Sequence, residues 1–281
     1  MNKLKIFIIR SNFYVALCAA SLVIQTGLLL EPEMNYLFEA LVVFLSTGCI
    51  YNLHRMQKSG LVPWKKPDLI GFKKSLNPIM TLVFLIFLAP CFFFFERHHF
   101  AVFTIGGIFS IAYSFPIKVG SRWHNLRTIP FGKLPSIVFV WTLMSVVFPL
   151  GFESLGCMDY TLIVLLRIFF LLAITVPFDI RDMEADRIEG IKTIPILVGW
   201  RRSRSISLLF IALFSVVVIM AVQISVLSMT KGLALIFSAI LTSFLISRTS
   251  PVSLPSHFTF SVEGLSLVQT LILITACYFF P

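Results

Sequence analysis

Long apolar runs alternate with short polar segments along almost the whole chain. Nine of these runs reach the length of about 17–25 residues that a helix needs to cross the hydrocarbon core of a bilayer. They lie near residues 12–30, 34–52, 77–95, 99–115, 134–152, 160–178, 206–228, 232–248 and 261–280. The fourth run is the weakest, because Gly106 and Gly107 interrupt it. The pattern predicts an all-α protein with a single domain, residues 1–281, that is a polytopic membrane bundle of about nine helices.

The composition agrees with this pattern and excludes two other classes of protein. Of the 281 residues, 58% are hydrophobic and 13% are charged, whereas a soluble domain is about half apolar and a quarter charged. A water-soluble globule cannot hide that much apolar surface, and a disordered chain would be poor in aromatic residues. The first run follows Lys3, Lys5 and Arg10 as a signal peptide would, but eight further runs favour a retained helix.

The distribution of basic residues predicts the orientation. Lys and Arg are enriched in cytoplasmic loops. If the N-terminus is cytoplasmic, all of the 23 basic residues except Arg97, Arg167 and Lys231 lie in cytoplasmic segments. We therefore expect a multi-pass protein of the cell inner membrane with its long loops in the cytoplasm. This topology explains the net charge of +10 without nucleic acid as a partner.

An acidic segment follows the sixth apolar run. Five of the thirteen acidic residues lie within residues 179–189. If the sixth helix continues through this segment, Asp179, Asp182 and Asp186 fall within about 60° of its circumference. Three carboxylates on one face near lipid need a cation, and Mg²⁺ typically binds one or two carboxylates together with phosphate oxygens. The alternative is a solvated loop in which Arg181 and Arg187 pair with the acids.

The motif in this segment resembles one known family. Residues 179–195 have the pattern DxxDxxxDxxxGxxTxP, which resembles the second aspartate-rich motif of the UbiA-type membrane prenyltransferases. Residues 113–118, YSFPIK, are similar to the family's Tyr-Ser-x-Pro segment and its following basic residue. Residues 263–265, EGL, are similar to the start of its final helix. The resemblance extends over essentially the whole chain.

The resemblance implies a fold and an activity. The fold is a helix bundle around a central cavity, and the reaction is transfer of an isoprenoid group from a prenyl diphosphate to a hydrophobic or aromatic acceptor, such as a quinone precursor, at a site that contacts membrane lipids. The implied cofactor is Mg²⁺, and the implied catalytic metal ligands are Asp179, Asp182 and Asp186. The residues assigned to substrate binding are Asn52, Arg55, Lys58, Tyr113, Lys118 and Arg122.

The chain departs from the family at its first aspartate-rich motif. After the second apolar run Asn52 remains, but the acidic positions hold Leu53, Met56 and Gly60. In one interpretation, Arg55 and Lys58, with His54, replace a metal ion and contact the diphosphate directly. In the other, the protein is a catalytically degenerate member of the fold that binds a lipid or a quinone. A transporter would require helices broken near the bilayer midplane.

Arg167 lies within the sixth apolar run. An intramembrane arginine indicates a functional site by default. The structural alternatives are that it extends to the membrane surface, or that it pairs with Glu39 or Glu263.

Overall fold

The computed structural model describes residues 3–30, 36–58, 76–119, 122–152, 157–254 and 256–279. Its helices are α1 (Lys3–Arg10), α2 (Phe13–Leu30), α3 (Leu37–Lys58), α4 (Asn77–Leu88), α5 (Arg97–Ser114), α6 (Lys133–Thr142), α7 (Met158–Ile188), α8 (Ile194–Val198), α9 (Trp200–Gln223), α10 (Met229–Ser247) and α11 (Leu265–Phe279). A 3₁₀ helix, Ala89–Phe94, extends α4, and a π-helical turn, Leu143–Val147, with one further turn, Phe148–Leu150, extends α6. A second π-helical turn, His257–Val262, precedes α11. Two short antiparallel strands, β1 (Ile117–Val119) and β2 (Arg122–His124), follow α5.

Eight of these helical segments are long and apolar enough to cross a membrane. They are Phe13–Leu30, Leu37–Gln57, Asn77–Phe94, Lys133–Leu150, Met158–Ile188, Trp200–Gln223, Met229–Ser247 and His257–Phe279. The fourth predicted run corresponds to α5, which is helical but is not among the eight, because its first turn carries Arg97, His98 and His99. The predicted fold class, a helical membrane bundle, is confirmed.

Helix α7 lies in the larger of two buried apolar clusters. Its Phe170 packs against Phe214 of α9 with the two rings tilted and their centroids 5.9 Å apart, and both side chains are almost completely buried. The second cluster joins α2, α3, α4 and α5 around residues such as Phe84. Large apolar side chains on the outer faces remain exposed, for example Phe93 and Leu233. A helix that is apolar on both its inner and outer faces is expected where lipid replaces water.

Arg167 of α7 is buried in a network of neutral partners. Its Nη1 donates to Gln25 Oε1 at 2.5 Å, and its Nη2 donates to the Leu22 carbonyl at 2.7 Å. Gln25 in turn donates to Gln269, which donates to Ser238. Within the described part of the chain, no ion pair joins Arg167 to Glu39 or Glu263, so the structure does not support that one of the alternatives. Carbonyl, amide and hydroxyl oxygens instead accept from its two terminal nitrogens, while its buried Nε has no partner among the described residues. The network connects α2, α7, α10 and α11.

The start of the last span is irregular, and Gly264 allows it to pack closely on α2. Tyr14 Oη donates to the Phe260 carbonyl at 3.0 Å, at the π-helical turn. A Cβ built on Gly264 would overlap both Tyr14 Oη and the Phe260 carbonyl oxygen. The close approach of Tyr14 therefore requires glycine at position 264.

We expect Gly264→Ala to destabilise the protein by about 1–3 kcal/mol, the usual cost of overpacking. The measurement is thermal unfolding of the purified protein in detergent. Gly107→Ala is the matched control, because a Cβ at Gly107 meets nothing within 4 Å and alanine favours helix by up to about 1 kcal/mol. Equal melting temperatures for Gly264→Ala and the unmodified protein would contradict this packing.

Candidate functional site

The acidic segment forms the last turns of α7. The helix continues to Ile188, and Gly190 follows it with a φ of 72°, so the predicted helical continuation is confirmed. Asp179 and Asp186 are buried, while the side chain of Asp182 is 32% exposed. Negative charge is unfavourable at a helix C-terminus because the carbonyl ends of the peptide dipoles point there. The segment therefore needs cationic neighbours.

Lys133, the first residue of α6, supplies a positive charge among these carboxylates. Its Nζ lies 2.6 Å from Asp186 Oδ2, 2.9 Å from Asp179 Oδ1 and 3.8 Å from Asp182 Oδ2. Lys133 is 6% exposed, so the ammonium is largely removed from solvent. A buried lysine is stable when it is paired and hydrogen-bonded, and the buried aspartates provide both. We call Lys133 with Asp179, Asp182 and Asp186 the lysine–aspartate cluster.

The chain between α5 and α6 positions a second cation. It folds back after β2, so that the backbone N–H of Leu126 donates to the Ala112 carbonyl at 2.9 Å and that of Arg127 to the Tyr113 carbonyl at 3.3 Å. Arg127 Nη2 then lies 3.2 Å from Asp186 Oδ1 and 3.0 Å from Glu189 Oε2. Asp186 therefore has one oxygen on Lys133 and the other on Arg127.

Arg181 connects the aspartates with the last span. Its Nε and Nη2 donate to the two carboxylate oxygens of Asp182 at 2.7 and 3.0 Å. Its guanidinium carbon lies 5.0 Å from the ring centroid of Phe178 and 5.8 Å from that of Phe258. The bidentate pair and the aromatic faces fix the orientation of the guanidinium.

A cavity of about 610 Å³ opens beside these residues and has one polar and one apolar end. The polar end is lined by Arg55, Tyr113, Arg127, Lys133, Asp179, Arg181, Asp182 and Glu263. The apolar end is lined by Leu88, Phe92, Phe103, Trp141 and Met144. Lys133 and Met144 both belong to the α6 segment, and a helical rise of 1.5 Å per residue separates them by about 16 Å. The shape suits an amphiphilic ligand with a charged head and a long apolar tail.

The structure brings together only some of the residues predicted for the site. Arg55, Tyr113, Asp179 and Asp182 line the cavity, whereas Asp186 lies behind the lining and faces Lys133 and Arg127. Lys58, Lys118 and Arg122 were also predicted to bind substrate, but the structure describes only their backbone and not their side chains.

Asn52 is the clearest difference from the expected site. It is fully buried and does not line the cavity. Its Nδ2 donates to the Ser11 carbonyl at 3.0 Å and to the Gly48 carbonyl at 2.7 Å. The amide thus joins α3 to the turn between α1 and α2, and these bonds hold it away from the polar end of the cavity.

The carboxylates that face the cavity fit a divalent cation only in part. Among the described residues, no group of three or more His, Cys, Asp or Glu side chains converges on one metal position. Asp179 and Asp182 are one helical turn apart and both line the cavity, and buried Asp179 Oδ1 accepts no hydrogen bond although Lys133 is near. Two carboxylates suffice for Mg²⁺ when phosphate oxygens and water supply its other ligands.

Sequence reasoning did not anticipate Lys133, Arg181 or Glu263 as parts of the site. Lys133 was counted only among the basic residues that set the membrane orientation. The available signal was its position at the start of an apolar run, where a lysine would extend along the helix towards a neighbouring acidic segment. The signal for Glu263 was a different one, because it is an acidic residue at the start of an apolar span.

Solved structures with the same fold come from membrane enzymes and their homologues. A UbiA homolog from Archaeoglobus fulgidus bound to GPP and Mg²⁺ is 13% identical, with a TM-score of 0.62 over 97% of this chain and 99% of that chain. A UbiA homolog from Aeropyrum pernix K1 is 14% identical, with a TM-score of 0.62 over 96% and 98%. A digeranylgeranylglyceryl phosphate synthase is 15% identical, with a TM-score of 0.59 over 98% and 97%. At these identities the likeness shows the fold alone.

The family comparison covers most of the chain. No curated protein matches the sequence significantly. The model of the UbiA prenyltransferase family matches residues 74–261, which include α4 to α10 and the whole acidic segment. This integral membrane protein therefore belongs to the UbiA prenyltransferase family.

Proposed function

We propose that the protein transfers an isoprenoid group from a prenyl diphosphate to a hydrophobic or aromatic acceptor within its central cavity. The observation that carries the proposal is the polarity of this one cavity. Its polar end holds four cationic side chains beside two aspartates, and its apolar end is lined by aromatic and aliphatic residues. A diphosphate requires the first environment and an isoprenoid chain the second.

Magnesium fits this proposal as a bridge between protein and donor. Asp179 and Asp182 would hold it, and the bound ion would neutralise the charge that develops on the departing diphosphate. UbiA homologs from Archaeoglobus fulgidus bind GPP or DMAPP together with Mg²⁺, which supports the same pairing here. Asp186, predicted as a third ligand, does not line the cavity and lies against Lys133 and Arg127, and we assign it the role of holding these two cations in place.

In this proposal Arg55 supplies the positive charge that a metal ion at the first motif would otherwise supply. It lies on the last turns of α3, close to the predicted acidic positions 53 and 56, and it lines the cavity. Its Nη1 donates to the Arg10 carbonyl at 3.2 Å, which leaves other donors of the guanidinium for a diphosphate. A direct cationic contact would compensate there for the charge that a metal ion would otherwise supply. The excess of basic residues in the loops at this end favours its location on the cytoplasmic side.

The test is product formation by the purified protein in detergent or liposomes. Geranyl diphosphate is supplied with a lipid extract as the acceptor mixture, and diphosphate release and prenylated products are measured with Mg²⁺ and with a chelator. We expect release and product with Mg²⁺ and neither with the chelator. An absence of release over a panel of donor lengths would contradict the proposal.

Two observations favour a second function. The acidic positions of the first motif are absent, and Lys133 already supplies positive charge to the remaining aspartates. A catalytically degenerate protein that binds a lipid or a quinone would keep the cavity and lose the reaction. Such a protein would copurify with a ligand detectable by mass spectrometry and would release no diphosphate.

A further inference from the structure

We propose that Glu263 is a catalytic residue that accepts the proton of a hydroxyl-bearing acceptor during transfer. This inference rests on the proposed function and deepens it, because it gives a catalytic role to a residue outside the aspartate-rich segment. The acceptor would be an alcohol or a phenol whose hydroxyl group reaches the Glu263 side of the cavity.

The backbone around Glu263 directs it to the cavity. The π-helical turn His257–Val262 ends immediately before it, and Gly264 follows it. Tyr14 packs on this turn, and its hydroxyl donates a hydrogen bond to the Phe260 carbonyl. π-helical turns inside helices are frequent at functional sites, and here the irregular segment brings Thr259 and Glu263 into the cavity lining.

Glu263 differs from the aspartates of the cavity in its partners. Asp179 and Asp182 are each within 4 Å of a cation, Lys133 or Arg181. In the part of the chain that the structure describes, the Glu263 carboxylate forms neither an ion pair nor a hydrogen bond. Leaving a carboxylate unpaired inside a membrane protein is costly. A carboxylate kept in that state at a cavity wall is available to a ligand.

The charged groups near Glu263 lie between it and the lysine–aspartate cluster. Among the described residues, none of them forms an ion pair with the Glu263 carboxylate. The charged groups that interact with it electrostatically are Arg181 and Arg55, and the phenols of Tyr14 and Tyr51 lie near it. Arg181 is held by Asp182 and therefore stands between the two acidic regions. The donor's diphosphate can then bind beside Lys133 and Arg55, while the acceptor approaches from the side of Glu263.

The proposed step balances as follows. The O–H bond of the acceptor breaks, and its proton moves to a carboxylate oxygen of Glu263. The electron pair released into the acceptor forms the new bond to C1 of the prenyl group. The bond between C1 and the diphosphate oxygen breaks, and its electron pair leaves with the diphosphate. Glu263 afterwards loses the proton to water, and no oxidant or reductant takes part.

Glu263→Gln tests the step, because an amide keeps the size of the side chain and cannot accept the proton. With geranyl diphosphate and the lipid extract, we expect product to fall by about 10²- to 10⁴-fold, the usual contribution of a general base. Diphosphate release should continue, because water captures the ionised donor. Binding of geranyl diphosphate to the variant shows that its donor site is folded, and Glu263→Asp, which keeps a carboxylate, should restore product.

Glu39→Gln is the matched control. Glu39 lies beside His99 in the first turn of α3, at the other end of this helix from Arg55 and the polar end of the cavity, so this variant should leave product unchanged. If Glu263→Gln forms product at the unmodified rate, Glu263 is not the proton acceptor. The inference is also overturned if release and product fall together, because Glu263 would then act on the donor. If the unmodified protein releases no diphosphate, the proposed function itself fails, and this outcome is distinct from the other two.

Discussion

Asp182→Asn should abolish most Mg²⁺-dependent diphosphate release. We expect a loss of about 10²-fold or more, the size of effect seen when a group that stabilises developing negative charge is removed. Asp182 is the more exposed of the two aspartates that line the cavity, so its replacement should disturb folding little. The measurement is release of diphosphate from geranyl diphosphate as the Mg²⁺ concentration is varied.

The control for this variant lies in the same helix. Asp159 is exposed in the first turn of α7, far along the helix from the cavity's polar end, and Asp159→Asn should leave release unchanged. If Asp182→Asn and Asp159→Asn both kept the full rate and the same Mg²⁺ dependence, Asp182 would have no part in metal binding.

Lys133→Met should lower the free energy of unfolding by roughly 3–5 kcal/mol, because it removes one partner of a buried ion pair, leaving Asp179 without a cation and Asp186 with Arg127 alone among the described residues. The Lys133 ammonium is within 3 Å of both carboxylates. Thermal or denaturant unfolding in detergent measures the change. Adding Asp186→Asn to Lys133→Met should recover part of the loss, since the two residues are directly coupled.

Lys192→Met is the comparison for the lysine variant. Lys192 is exposed in the segment between α7 and α8, and a solvated lysine contributes little to stability. A loss of stability at Lys133 no larger than that at Lys192 would show that the lysine–aspartate cluster is not a stabilising contact.

The helical bundle and the acidic face were predictable because they depend on local patterns. The length of each apolar run determines whether a helix can span the bilayer, and the spacing of Asp179, Asp182 and Asp186 places them on one face whatever surrounds the helix. The fourth run was overestimated, since Arg97 and two histidines begin helix α5 and reduce its hydropathy.

The partners of the aspartates were not predictable in the same way. Lys133 is 46 residues before Asp179 in the chain, and only the packing of α6 against α7 brings them together. Asn52 was predicted to bind substrate from its motif position. In the structure its side-chain amide instead donates to the Ser11 and Gly48 carbonyls. Contacts across helices depend on rotation and crossing angle, which a single sequence does not specify.

Binding of geranyl diphosphate to the purified protein, followed by calorimetry with Mg²⁺ and with a chelator, tests the proposed site most directly. We predict saturable binding with Mg²⁺, much weaker binding with the chelator, and loss of the Mg²⁺ effect in Asp182→Asn. Binding that is the same with and without Mg²⁺, or heat signals that stay flat at millimolar Mg²⁺ in the presence of the donor, would contradict it.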